Sequence, residues 1–188
     1  MSSVFVRAAQ ALDASSIASI YNEGIADRSA TFETEPRGSR DFASRLACAG
    51  LPLLVAEADG RIVGWAGVAR YSDRKAYAGV GEMSIYVHRG ARQRGIGTRL
   101  CQQVIEEAAL QGFYKLLGKL FPENTACIRM AASCGFRDVG IHRCHGRLDG
   151  RWRDVLLIER LLGDAEGASA PSDADRSDTK SSPRRVDF

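Results

Sequence analysis

A strand-like run that breaks into a turn of glycines and arginines and resumes as a helical pattern, over residues 80–110, constrains this chain more than any other stretch. Val80 to Val87 reads as a strand, and Ile96, Leu100, Val104, Ile105 and Ala108 recur at helical spacing from Gly95 to Leu110. The junction is Ile85-Tyr86-Val87-His88-Arg89-Gly90-Ala91-Arg92-Gln93-Arg94-Gly95-Ile96-Gly97-Thr98-Arg99. A turn poor in bulky side chains lets successive backbone N–H groups point at one anion, and the helix start adds about half a positive charge. Arg89, Arg92, Arg94 and Arg99 add mobile positive charge, so the junction reads as a phosphate site on the edge of a sheet. The plainer alternative, a strand-to-helix turn with solvated arginines, fits a lone Gly-x-Gly better than it fits this arginine-rich context. No Gly-Lys-Ser/Thr follows, which excludes a Walker A loop, and the spacing is not the dinucleotide Gly-x-Gly-x-x-Gly.

The remaining pattern supplies the sheet. Val4 to Arg7 reads as a strand, β1, and Asp13 precedes a helix, α1, with Ile17, Ile20, Tyr21 and Ile25 on one face. Residues 22–36 are polar and turn-rich, and a second amphipathic segment, α2, turns Phe42, Leu46 and Cys48 inward. Leu53 to Glu57 (β2) and Ile62 to Val68 (β3) flank Asp59-Gly60, a hairpin signal. After the 80–87 strand (β4) and the 95–110 helix (α3) come Lys115 to Leu120 (β5), a helix from Asn124 to Cys134 (α4), and strands at Phe136 to His142 (β6) and Val155 to Leu161 (β7). Such alternation predicts an α/β or α+β domain with a mixed central sheet over residues 1–162. From Gly163 onward large apolar residues are nearly absent, and residues 163–188 are expected to be a disordered tail.

Composition excludes several classes. Of the 188 residues 45% are hydrophobic and 26% charged, enough for a core and too much for a disordered chain. No run approaches the roughly 18 apolar residues of a membrane span, and the N-terminal residues do not read as a leader, so a cytoplasmic protein with no membrane partner is expected. The formal charge of +3 divides into −2 on residues 163–188 and +5 on the rest, too little to imply nucleic acid. Five cysteines (Cys48, Cys101, Cys127, Cys134, Cys144) with no Cys-x-x-Cys pair read as reduced thiols. A metal site at Cys134, His142, Cys144 and His145 matches no ligand spacing, and none is expected. Cys127 and Cys134, seven apart on α4, read instead as one buried stripe.

Arg92-x-x-Gly95-x-Gly97 after Ile85-Tyr86-Val87 resembles the coenzyme A pyrophosphate loop of the GNAT superfamily of N-acetyltransferases. Phe121-Pro122-Glu123-Asn124-Thr125-Ala126 and Cys134-Gly135-Phe136 resemble the family's Asn-initiated helix that ends in Gly-Phe. Within it the chain is most similar to the phosphinothricin acetyltransferase group, through Ile20-Tyr21-Asn22, Thr31-Phe32, Trp65-Ala66-Gly67, Gly81-Glu82-x-Ser84 and Gly150-Arg151-Trp152-Arg153-Asp154-Val155. The branch acting on arsinothricin is similar at Leu120 to Asn124 and His145 to Gly150. The resemblance implies a mostly antiparallel sheet splayed between β4 and β5, about four helices, a homodimer, and acetyl-CoA as co-substrate.

It also implies roles for particular residues. Ile85, Tyr86 and Val87 would lie beside the pantetheine, Arg92, Gln93, Arg94, Gly95, Ile96, Gly97 and Thr98 would hold the pyrophosphate, and Asn124 and Ser133 would contact the cofactor. Asn124 also reads as a helix N-cap. An amino acid's ammonium must lose a proton before it attacks a thioester, and Glu82, an acid in an apolar strand, matches the family's general-base position. Phe32, Arg74 and Tyr77 match substrate-contacting positions, and an arginine fork suits a carboxylate, phosphinate or arsonate. The chain departs from the family at Ala131, where a Tyr or His often serves as proton donor; Tyr86, His142 and His145 are the other candidates, and none is assigned. The implied activity is acetylation of the α-amine of a small glutamate analogue: phosphinothricin, arsinothricin or methionine sulfoximine. Alternatives are acetylation of a protein N-terminus or lysine, and a non-catalytic module that binds acetyl-CoA or nucleic acid.

Overall fold

The computed structural model describes residues 4–47 and 50–167. Along them run β1 Val4–Ala8, α1 Ala14–Ala26, α2 Ser39–Leu46, β2 Leu53–Ala58, β3 Arg61–Arg70, β4 Val80–Val87, α3 Ile96–Leu110, β5 Lys115–Leu120, α4 Thr125–Ser133, β6 Arg137–Leu148 and β7 Arg151–Leu161. The strands form one seven-stranded sheet in the order β1-β2-β3-β4-β5-β7-β6. Every neighbouring pair is antiparallel except β4 and β5. This is the mixed, mostly antiparallel architecture that the sequence predicts.

Helices cover both faces, and the period-2 alternation of the strands feeds both. On β2, Leu54 and Ala56 join a cluster with α3 and α4, while Leu53 and Val55 join one with α1 and α2. On β3, Ala66 and Val68 face α3 and Trp65 faces α1 and α2. Strands buried on both sides read as unbroken apolar runs, which is why they stand out in the sequence. Leu100 and Val104 of α3 are fully enclosed, and burial of such side chains contributes roughly 1.5–3 kcal/mol each.

The last hairpin is longer than its sequence suggests. Strands expected at 136–142 and 155–161 extend until they meet at Asp149-Gly150, both at positive φ (48° and 77°). That is the geometry an Asp-Gly pair accepts in a tight hairpin. Residues 143–145 and 147 are exposed on the sheet's outer strand, so no apolar alternation marked them as strand. Gly163–Gly167 form a short 3-10 turn with an Arg160–Glu166 contact at 3.9 Å, and the rest of the expected tail lies outside the described residues. Cys48, expected to turn inward from α2, lies outside them too. Among the described residues no helix is long and apolar enough to cross a membrane.

Asp13, which precedes α1, does not cap that helix with its side chain. Its carboxylate accepts from Arg7 Nη1 and Nη2 at 2.7 and 3.0 Å and from the Gln10 N–H at 2.7 Å, tying β1 to the helix start. The hydrogen bonds from Arg7, outweighing burial, hold this carboxyl below the usual carboxylate range. A group that ionises more readily folded than unfolded adds stability above its unfolded value, about 3.9, and that stability disappears as pH falls through the lowered folded value. Asp13→Asn is therefore expected to cost about 1–3 kcal/mol at pH 7 and to flatten the loss of stability below about pH 4. Thermal melts from pH 7 to pH 2 check this; an acid limb identical to that of the parent protein would assign the effect to other carboxylates.

Candidate active site

β4 and β5 pair only through Val80, Gly81 and Glu82, opposite Lys115, Leu116 and Leu117. Beyond Glu82 they part, β4 remaining with β3 as far as Val87 and β5 with β7 as far as Leu120. The sheet thus opens as a V with Glu82 at its apex. The His88 N–H donates to the Val63 carbonyl on β3, so by alternation the backbone of Tyr86 also faces β3, while that of Ile85 and Val87 faces the opening. Arg92 Nε donates to the Val87 carbonyl at 3.2 Å.

The turn that follows is curled by two left-handed residues, Gln93 (φ 63°) and Gly95 (φ 75°), on either side of Arg94. Such alternation turns successive amides toward one point, the concavity that binds anions. Gly95 sits at the N-cap of α3, which has no side-chain cap, and the first intrahelical bond runs from the Arg99 N–H to the Gly95 carbonyl. The amides of Ile96, Gly97 and Thr98 are the ones a helix start leaves without an intrahelical partner.

Three of the four arginines are anchored to the fold. Arg89 and Arg92 bind Asp27 at 2.5 and 2.8 Å, and Arg99 donates to the Val4 carbonyl, so they act as struts. Burial disfavours ionised Asp27, but the hydrogen bonds from Arg92 and Arg89 outweigh it and hold the carboxyl below its usual range. Glu23 of α1 adds two ties, accepting the Arg89 N–H at 2.6 Å and lying 3.2 Å from His88 Nε2. Arg94 is exposed at the mouth of the turn.

A cavity of about 550 Å³ opens beside the V. It lies on the α1 and α2 side: Glu82, Ser84 and Tyr86 alternate onto that face of β4, while Met83, Ile85 and Val87 pack toward the α3 cluster. Tyr86 stacks on Trp65 (centroids 5.0 Å apart, 18° between planes), with Tyr21 edge-on to it at 4.9 Å. Burial pushes the Tyr86 hydroxyl well above its ordinary value. Phe32, on the loop between α1 and α2, meets Phe121 edge-on at 5.0 Å and crosses Gly146 of β6. A Cβ at Gly146 would lie 2.7 Å from the Phe32 ring, so glycine there is what admits the ring.

Other expected residues are placed as follows. Asn124 caps α4, its Oδ1 accepting from the Cys127 N–H at 3.3 Å and its Nδ2 donating to the Ser29 carbonyl at 3.2 Å, and it also lines the cavity. Ser133 is exposed and donates to the Met130 carbonyl at 2.7 Å. Arg74 and Tyr77 do not line the cavity: a 3-10 turn at Lys75–Tyr77 carries them outward, Arg74 over the Tyr77 ring at 5.5 Å. Ala131 is buried in the main core and offers no proton. His145 lines the cavity, edge-on to His142 at 4.9 Å. The expected stripe on α4 is broken, since Cys134 is buried while Cys127 lines the cavity; burial, partly offset by Asn124, raises the Cys127 thiol. Among the described residues no group of three or more His, Cys, Asp or Glu could hold a metal ion.

The sequence reading missed Lys119. On β5, two residues past the last β4 pairing, its Nζ donates to Glu82 Oε2 at 2.7 Å across the opening. The available signal was a lysine recurring four residues after Lys115 in an otherwise apolar strand, which puts both on one face.

Residues 17–136, which include the splayed pair of strands, the amide-lined turn at their open end and the carboxylate at their apex, match the Acetyltransferase (GNAT) family. The chain belongs to that family and is an acetyl-CoA-dependent acyltransferase. It is 33% identical over 161 residues to the phosphinothricin N-acetyltransferase of Alcaligenes faecalis, covering 84% of this chain and 82% of that one. It is 30% identical over 173 residues to an L-methionine sulfoximine/L-methionine sulfone acetyltransferase of Pseudomonas aeruginosa, covering 88% and 99%. A crystal structure of a phosphinothricin acetyltransferase from Sinorhizobium meliloti in complex with AcCoA aligns with a TM-score of 0.82 and 28% identity, over 90% of this chain and 94% of that one.

Proposed function

We propose that this protein transfers the acetyl group of acetyl-CoA to the α-amine of a glutamate-analogue amino acid such as phosphinothricin, arsinothricin or methionine sulfoximine, a detoxification that confers resistance to the analogue. The observation that carries the reading is Glu82 at the apex of the V, facing the cavity, with the amide-lined turn at the other end of β4. The relatives' names, phosphinothricin and methionine sulfoximine acetyltransferases, support this substrate class.

Each part of the site has a task in that reaction. The amides of Ile96, Gly97 and Thr98, with Arg94 beside them, hold the pyrophosphate. The gap-facing backbone of Ile85 and Val87 lies along the pantetheine and aims a donor at the thioester oxygen, where charge develops. Glu82 takes one proton from the substrate ammonium, directly or through water, and the freed amine attacks the acetyl carbon. The C–N bond forms and the C–S bond breaks. Of the ammonium's three protons one passes to Glu82, one stays on the new amide, and one leaves with the sulfur. This balance needs no separate acid, which suits the buried Ala131. Phe32 shapes the acceptor end of the cavity.

The described chain also presents a long outer strand, β6, with Val139 and Ile141 about half exposed and Trp152 exposed beside it on β7. A homodimer in the cytoplasm is part of the proposal, and Arg74 and Tyr77, outside this cavity, belong to the acceptor site only if the dimer brings them there. Thiol release from acetyl-CoA, measured with phosphinothricin, arsinothricin, methionine sulfoximine, glutamate and peptides bearing free N-termini or lysines, tests the reading. Activity on a glutamate analogue and none on peptides is expected; activity confined to peptides would replace it with protein acetylation.

A further inference from the structure

The Lys119–Glu82 pair occupies the centre of the proposed acceptor site. Both side chains line the cavity, on opposite arms of the V, with Nζ and Oε2 2.7 Å apart. About a third to two-fifths of each side chain is exposed (34% for Glu82, 44% for Lys119), and so exposed a pair contributes little to stability. Among the described residues Lys119 makes no other polar contact, and no hydrogen bond besides that from Lys119 reaches the Glu82 carboxylate. β4 and β5 are already joined at the apex by backbone pairing, so the strands' association does not depend on the pair.

An adjacent cation and anion form the mirror image of a zwitterion. An amino acid carries its ammonium and carboxylate on a single carbon, and so brings one opposite charge to each member of the pair. We propose that Lys119 is the binding residue for the α-carboxylate of the acceptor, and that the substrate enters by exchanging its own charges into this ion pair: ammonium to Glu82, carboxylate to Lys119. The inference rests on the proposed function and extends it, because it says how the site selects α-amino acids over other amines. With no carboxylate present, Lys119 stays on Glu82 and occupies the base. When the carboxylate draws Lys119 away, Glu82 is released beside the ammonium whose proton it must take. On any α-amino acid the α-carboxylate is the anion nearest the amine, so with the amine at Glu82 it is the group placed beside Lys119.

The test compares phosphinothricin and L-methionine sulfone with the α-amide of each, using purified full-length protein and Lys119→Met and Lys119→Arg variants. Turnover is followed by thiol release, and where an amide is not turned over its Ki against the parent acid is read instead. The wild type should prefer acid to amide by at least about tenfold, the range of a charge-assisted hydrogen bond. In Lys119→Met the KM for the acids should rise at least about tenfold while the amides, whose base Lys119 no longer occupies, should lose nothing and gain up to severalfold, so that the preference collapses. Lys119→Arg should recover much of it, and the acetyl-CoA dissociation constant should be the same in all three proteins. An unchanged preference in Lys119→Met, or equal losses on acid and amide, overturns the inference while the wild-type activity leaves the proposed function standing. Wild-type protein that releases no thiol with any amino acid overturns both.

Discussion

Glu82→Gln lowers the turnover number at least about tenfold and leaves the acetyl-CoA dissociation constant within about twofold. The substitution keeps the side chain's volume and its place at the apex of the V, but an amide does not accept a proton from an ammonium near neutral pH. Positioned general bases contribute roughly 10²–10⁴-fold, and tenfold is the lower bound that water leaves when it reaches a site this open. Because Glu82 is about one-third exposed and lies at the opposite end of β4 from the turn, the loss should appear in kcat and not in cofactor affinity. Steady-state kinetics with calorimetric binding separates the two. Near-normal turnover would remove Glu82 from the role, and a parallel loss of acetyl-CoA binding would make its role structural.

Gly97→Asp should abolish function by the opposite route. A Cβ at Gly97 meets Val87 Cγ2 at 3.7 Å and Met130 Cγ at 4.0 Å, ordinary contact, so a Cβ is accommodated there without strain. A carboxylate in the first turn of α3 is favourable to the helix, through the same partial positive charge that makes the turn an anion site. The variant should therefore melt at or slightly above the wild-type temperature. Its carboxylate occupies and repels the place of the pyrophosphate, and mispairing buried or semi-buried like charge costs several kcal/mol. Acetyl-CoA affinity is expected to fall at least about thirtyfold, equivalent to about 2 kcal/mol. Retained affinity would move the diphosphate away from this turn; a lowered melting temperature together with lost affinity would make the variant a folding defect instead.

Legibility followed burial. β2, β3, β4 and α3 were plain in the sequence because they are packed on defined faces, so each apolar position marks its element. The outer half of the β6–β7 hairpin was not, since most of its residues are exposed and its Asp149-Gly150 turn was flanked by charge and not by apolar runs. Site residues divided the same way. As a candidate base Glu82 stands out as an acid in an apolar strand, and the turn from Gln93 to Thr98, as a candidate anion site, by its glycines. Lys119, an unremarkable lysine on a strand read as buried, becomes visible only when the parting of β4 and β5 places it against Glu82. Arg74 and Tyr77, matched to the family's substrate-contacting positions by resemblance, follow a 3-10 turn at Lys75–Tyr77 that sets them outside this cavity, a placement no sequence pattern foretold. Arg89 and Arg92 looked like free cations because their anchor, Asp27, lies more than sixty residues away just past the end of α1.

The most direct test of the account is a calorimetric titration of acetyl-CoA into folded wild-type protein, with Gly97→Asp alongside. The account predicts a saturable heat of one molecule per chain for the wild type, absent or much weakened for the variant at the same melting temperature. No heat with the wild type, while circular dichroism shows it folded, would contradict the claim that the amides of the turn into α3 hold the donor of the acetyl group.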